Sequence, residues 1–189
     1  MSKYYSKLVY CLPIALVLVL LVVTQLAHHH WDLAWDRLAI EQGSYWRIIS
    51  GQFVHNNTAH LVLNAVASLL VYVLMRELVS GIQFIIHVFF IALLTGLALY
   101  LFEPVLDYYL GFSAVLHGLV AAYAVIKLPQ DKYFGGLIVI LLWVKLGFAE
   151  SPETADLIGI RVATEAHLWG VVSGVVSGFL QAQICKRCQ

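Results

Sequence analysis

Ser113 and His167 are the two residues of this 189-residue chain whose types and surroundings could together do covalent chemistry. Ser113 stands in Gly111-Phe112-Ser113-Ala114-Val115-Leu116-His117-Gly118, and His167 in Ala166-His167-Leu168-Trp169-Gly170, followed by Gly174 and Gly178. A serine hydroxyl becomes a nucleophile when a neighbouring base takes its proton. Both segments are strongly apolar, and a polar group in hydrocarbon is costly enough to need a reason. Together the two motifs suggest an intramembrane hydrolase. Each also has a plainer reading alone: Ser113 as a helix cap, and His167 as a packing residue beside a glycine-spaced helix contact.

Two histidines compete for the role of base. His117 lies at i+4 from Ser113 on the same face, where approach angles are limited. His167 shares a face with Gly170 and Gly174, and a glycine every four residues lets a second helix approach closely. Ala114, Gly118 and Ala121 offer a matching small surface, so this contact would bring Ser113 and His167 together. No carboxylate stands in either segment as a third member, and the expectation is a dyad with a neutral histidine. The start of the Ser113 helix would also present free backbone N–H groups to an oxyanion. His60 and Asn64, four residues apart, read equally well as oxyanion donors or as a hydrogen-bonded pair joining helices.

The elements that must position these groups are apolar helices. The chain is 61% hydrophobic and only 12% charged, with a mean hydropathy of +0.85, outside the range of soluble domains. A helical span needs about 20 apolar residues, and the pattern predicts six, over 8–27, 58–75, 84–102, 112–128, 133–148 and 164–184. The fourth and fifth are short, which implies tilt or local thinning. Little chain remains outside the spans, so 1–189 reads as one all-α membrane domain. Seven of the eleven basic residues (Lys3, Lys7, Arg76, Lys127, Lys132, Lys186 and Arg187) fall on one side. That side is expected to be cytoplasmic and to hold both termini. The first span reads as a retained anchor, because its apolar stretch is long and no A-x-A site follows it. No basic patch points to nucleic acid.

Other polar features carry weaker signals. Trp31, Trp35 and Leu38 recur at helical spacing, which suggests a segment anchored in the membrane interface. His28-His29-His30 reads as a solvated cluster, since adjacent residues do not easily face one ion. Lys145 near the end of its helix can snorkel. The segment around Ser151 to Arg161 is a polar loop that could cap a site. Cys185 and Cys188 read as two incidental thiols. No cofactor or metal is implied.

The motifs together resemble those of the rhomboid family of intramembrane serine proteases, over most of the chain from Trp46 to Gly178. Tyr45-Trp46-Arg47 and Phe53-Val54-His55 resemble the family's approach to its second span. His60 and Asn64 match its H-x-x-x-N motif, and Ala166-His167-Leu168-Trp169-Gly170 with Gly174 its A-H-x-x-G-x-x-x-G motif. Gly111-Phe112-Ser113-Ala114 matches its G-x-S-G motif except at Ala114. The resemblance implies a six-transmembrane-helix rhomboid-like bundle with Ser113 as nucleophile and His167 as base. His60, Asn64 and nearby backbone N–H groups would stabilise the oxyanion, with Gly111, Ala114 and His117 at the oxyanion or substrate site. The short length and His117-Gly118 resemble the rhombosortase branch. That implies a bacterial inner-membrane enzyme opening toward the periplasm. Its partners would be membrane lipid and exported proteins anchored by a C-terminal Gly-Gly motif, apolar helix and basic tail. Ala114 leaves open a catalytically inactive rhomboid-like binder of transmembrane helices. The many histidines leave open a small transporter or metal carrier.

Overall fold

The computed structural model describes residues 2–28, 30–147, 156–157, 159 and 163–187. Among the described residues eight helices are delimited: α1 (Ser2–His28), α2 (Arg37–Glu41), α3 (Arg47–Ser50), α4 (Thr58–Met75), α5 (Gly81–Phe102), α6 (Ser113–Lys127), α7 (Lys132–Gly147) and α8 (Thr164–Arg187). The six longer ones overlap the six apolar segments of the sequence. By length and composition, α1 over Cys11–His28, α4 and α5 are able to cross a membrane, and α6 is a shorter apolar helix.

The helices are apolar outside as well as inside. Leu12, Leu16, Val19, Val23 and Leu26 of α1 and Val62, Val66 and Leu70 of α4 are exposed. The buried set instead includes His60, Asn64, Ser68, His87, Thr95, His167, Ser173, Ser177 and Gln181. Large apolar side chains facing outward and polar ones facing inward suit a hydrocarbon solvent.

α6 is the central helix and packs against α4, α5, α7 and α8. Ten of its fifteen residues are buried. Its closest neighbour is α8. A Cβ on Gly170 would run into the Ala114 carbonyl, and one on Gly174 into that of Gly118. One on Gly178 would come 2.9 Å from the carbonyl oxygen of Ala122. The small-residue seam is therefore Ala114, Gly118 and Ala122, where the sequence pattern suggests Ala121; the i, i+4, i+8 row tracks the neighbouring glycines more closely. On the other side of α8, His87 of α5 hydrogen-bonds Ser177 at 2.6 Å, and Thr95 donates to Ser173 at 3.4 Å. These contacts make α5 a packing helix with polar links.

The connection between α1 and α4 corrects one expectation. Trp31 and Leu38 are exposed, but Trp35 is fully buried. It lies in β1 (Trp35–Asp36), which pairs antiparallel with β2 (Tyr108–Tyr109), Trp35 opposite Tyr109. Its indole N–H donates to the Gly96 carbonyl at 3.1 Å. The three residues thus form no single interfacial stripe, because a two-residue strand interrupts the helical period. Asp36 caps α2 by accepting the Ala39 N–H at 2.7 Å. Arg37 reaches across to the end of α5 and donates to the carbonyls of Leu99, Tyr100, Glu103 and Leu106 at 2.9–3.1 Å. One guanidinium thereby adds donors to carbonyls at the helix C-terminus and just beyond it, and ties this connection to the segment leading into Ser113.

Candidate active site

α6 contains 15 residues, a length of about 22 Å, against roughly 30 Å of hydrocarbon in a bilayer. A helix this short falls below that thickness, and irregular backbone at membrane depth must line protein or a cavity. Ser113 is its first residue. The N-cap is Phe112, which makes no side-chain capping bond. The Ser113 hydroxyl instead meets Nε2 of His167 at 2.8 Å. The capping reading of Ser113 is therefore replaced by a contact across the α6–α8 seam. For the hydroxyl to donate, Nε2 must carry the lone pair and Nδ1 the proton. His167 Nδ1 is buried and has no hydrogen-bond partner among the described residues.

His117, the competing base, does not face the Ser113 hydroxyl. Its Nδ1 lies 2.7 Å from the carbonyl oxygen of Ser113, and its ring stacks on that of His167 with centroids 4.3 Å apart and planes 18° apart. Of the two histidines, only His167 can take a proton directly from Oγ in this arrangement.

His60 and Asn64 reach the same place from α4. Asn57 caps that helix by accepting the His60 N–H at 2.8 Å, which fixes the first turn. Asn64 donates to the His60 carbonyl at 3.1 Å, leaving its second amide hydrogen for another acceptor. Both side chains are buried from outside yet line a cavity of about 530 Å³ together with Ser113, His117 and His167. His55, in the loop before α4, stands edge-on to His60 with centroids 4.9 Å apart. Burial, followed by the nearby His60, pushes its pKa down to about 3 and keeps it neutral.

Gly111 has φ of +132°, a region that L side chains rarely adopt. A Cβ there would stand 2.9 Å from Cε1 of His60 and 3.8 Å from the Ser113 hydroxyl. Glycine at this position lets the His60 ring approach the serine. The Gly111 N–H is already given to the Gly51 carbonyl at 3.1 Å, so it is not a spare oxyanion donor. Ala114 is fully buried in the cluster of Trp35, Ile40, Leu99, Tyr109 and Ala166. Its methyl therefore belongs to packing, and Ala114 does not line the cavity.

The rhomboid domain family matches residues 42–184, about three quarters of the chain, which include Gly111, Ser113, His117, His167, His60 and Asn64. The chain belongs to the rhomboid family. It is similar to two proteins of Bacillus subtilis (strain 168). It is 25% identical to the putative rhomboid protease YdcA over 151 residues, which cover 79% of this chain and 74% of that one. It is 26% identical to the rhomboid protease GluP over 140 residues, which cover 71% of this chain and 26% of that longer protein.

Two residues of this rhomboid site are not placed there by the sequence reading. Tyr109 is buried and lines the cavity; its hydroxyl donates to the Gly111 carbonyl at 2.7 Å. That hydroxyl also interacts with the Ser113 side chain and the Ala114 N–H, and burial pushes its pKa up, so it stays protonated. Lys145 lines the cavity as well, where the sequence suggests a snorkelling lysine or one with a buried partner it does not name. Elsewhere, His28 accepts the Leu33 N–H at 3.1 Å and Cys11 is a free, exposed thiol. His29, the 148–155 stretch of the polar loop, Arg161 and Cys188 lie outside the described residues, as does the side chain of Cys185.

Proposed function

We propose that this chain is an intramembrane serine endopeptidase in which Ser113 is the nucleophile and His167 its base. The observation that carries the reading is the 2.8 Å contact between Ser113 Oγ and His167 Nε2 at the wall of a cavity that His60 and Asn64 also line. Membership of the rhomboid family supports it, as do the names of the two similar Bacillus proteins. Ser113 Oγ attacks the scissile carbonyl while its proton passes to His167 Nε2. The oxyanion is stabilised by the His60 ring, the second Asn64 amide hydrogen and free N–H groups of the first α6 turn. His167 then gives its proton to the leaving amine, and an acyl-enzyme on Ser113 remains for water to hydrolyse.

The six longer helices would form six spans, with both termini cytoplasmic and the cavity opening toward the periplasm of a bacterial inner membrane. The substrate would be an exported protein held by a C-terminal Gly-Gly motif, an apolar helix and a basic tail. Glycine destabilises a helix by about 1 kcal/mol relative to alanine. A glycine pair therefore unwinds readily into the extended backbone that Ser113 must reach. The largely apolar cavity wall, with Leu63, Ala67, Leu116 and Leu142, suits small residues better than charged ones.

The test is co-expression of a reporter bearing such a C-terminus with the wild type or with Ser113→Ala at equal membrane levels, and mass spectrometry of the new C-terminus. Cleavage near the glycines that requires Ser113 is expected. Losing a core member of a catalytic serine–histidine group costs about 10⁴ to 10⁶ in rate. A stable complex with no cleavage in the wild type, for this reporter and for a general rhomboid substrate, would replace the protease by a helix binder.

A further inference from the structure

His117 has a ring nitrogen that neither packing nor the Ser113–His167 pair uses. Its Nδ1 is 2.7 Å from a carbonyl oxygen, Ser113 O. A carbonyl only accepts, so Nδ1 carries the proton and the lone pair of the neutral ring sits on Nε2. Nε2 has no hydrogen-bond partner among the described residues, and it is not one of the buried unpartnered atoms that include His60 Nδ1 and His167 Nδ1. His117 lines the 530 Å³ cavity and is only half-buried. A second imidazole acceptor thus borders the cavity beside the first, on a ring 4.3 Å away and within 18° of parallel. A residue needed only for packing would be apolar, since an imidazole in this environment is costly to desolvate.

We propose that His117 Nε2 accepts a hydrogen bond from the water that hydrolyses the acyl-enzyme, so that the two stacked histidines hold that water between them. A water with both hydrogens engaged at about 2.8 Å spans acceptors roughly 4.5 Å apart, and the two rings that would supply those acceptors stack with centroids 4.3 Å apart. In the acyl-enzyme the water oxygen attacks the carbonyl carbon. One of its protons passes to His167 Nε2, and the other stays on the oxygen, held by His117 Nε2. The bond from carbon to Ser113 Oγ then breaks, and His167 returns its proton to Oγ. The product leaves as a carboxylic acid that ionises in water. His117 takes no proton at any step; it fixes the angle of attack. Acylation uses the ring only as the surface on which His167 stacks and does not use its Nε2, since the attacking atom there is Ser113 Oγ.

This inference rests on the acyl-enzyme reading above, and the two can fail separately. In detergent micelles the full chain is treated with a fluorophosphonate probe, which reports acylation chemistry at Ser113 without water. A p-nitrophenyl ester then gives a burst followed by steady turnover. His117→Phe keeps a flat stacking ring and removes the acceptor. Its labelling rate should stay within about threefold of wild type. Its post-burst turnover should fall about tenfold or more, with the acyl-enzyme accumulating by intact mass. His117→Gln, which restores an acceptor, should recover part of the turnover. Labelling and turnover falling together in both variants would make His117 a packing residue. Unchanged turnover in His117→Phe would also overturn the proposal. Absence of Ser113-dependent labelling in the wild type would instead sink the serine-protease reading, and this inference with it.

Discussion

Gly174→Ala tests whether the spacing of α6 and α8 sets the reacting distance. The Ser113–His167 contact is 2.8 Å, and among the described residues no covalent link or strand holds these helices at that separation. What permits it is the absence of side chains at Gly170, Gly174 and Gly178. A Cβ on Gly174 would sit closer to the carbonyl and Cα of Gly118 than any real Cβ approaches backbone, and no flexible side chain is there to yield. Relieving that contact requires the helices to part by about 1 Å or more, since carbon and oxygen prefer roughly 3.4 Å or more. A 1 Å shift would lengthen the catalytic contact to nearly 4 Å, beyond hydrogen-bonding range. Displacement on this scale costs on the order of 10² in rate, and overpacking costs about 1–3 kcal/mol in stability. Gly178→Ala, whose added Cβ would lie 2.9 Å from Ala122 O and farther from the site, should lose less. Gly136→Ala, with nothing within 4 Å, should lose nothing. Fluorophosphonate labelling and reporter cleavage at equal membrane levels give the comparison. Wild-type rates in Gly174→Ala, or equal losses in all three variants, would refute the argument.

Other consequences follow from single contacts. His60→Ala and Asn64→Ala should each lower kcat by about 10² to 10³ if each removes one oxyanion donor, with labelling reduced in parallel; a change confined to KM would make them substrate-packing residues. Arg37→Lys should lower thermal stability by about 2–4 kcal/mol, because an ammonium cannot reproduce the fork that reaches four carbonyls; an unchanged Tm would show that those carbonyls find other donors. Asp32 pairs with Arg47 at 3.1 Å and its side chain is half exposed. Burial alone would raise its pKa, but the hydrogen bonds from Arg47 and Ala34 and the charges of Arg47 and His28 outweigh it and hold the value below 3.8. A lowered carboxylate pKa stabilises the fold above the unfolded value and loses that contribution as pH falls through the folded one. Wild type should therefore exceed Asp32→Asn in Tm at pH 6, by less than about 1 kcal/mol in stability, and the gap should close below about pH 4; a gap constant with pH would remove the charge from the account.

The parts of the site legible in the sequence are those whose meaning depends on spacing along one helix. The glycine row of α8 and the small row of α6 follow from a period of 3.6, which is why their pairing could be read and why the error is a single position, Ala121 for Ala122. His60 and Asn64 were legible for the same reason. His117 was not resolvable, because a side chain at i+4 can reach either Oγ or the carbonyl oxygen of Ser113, and only coordinates separate the two. Trp35 and Tyr109 were illegible for a different reason. Their pairing joins positions 74 residues apart through a ladder of two residues per strand, too short to leave a period-two pattern. Yet this ladder fixes the loop carrying Tyr109, Leu110 and Gly111, and so the turn from which Ser113 emerges.

Among the described residues no carboxylate hydrogen-bonds His167 Nδ1, and that gives the rigid surround its meaning. In a triad, a carboxylate on Nδ1 orients the imidazole and stabilises its charged form. Here His167 Nδ1 is buried with no partner among the described residues, so hydrogen bonding on that side does not hold the ring. Its orientation comes from two packing constraints instead: the stack on His117 along one face, and the backbone contact of Gly170 with Ala114 one turn away. Packing constrains position strongly, because a close-packed interior resists displacement, but it offers little to an imidazolium. The proposed Ser113–His167 dyad should therefore depend on helix spacing more than on any single polar partner. Its activity should fall steeply with each methyl group added to the α6–α8 seam.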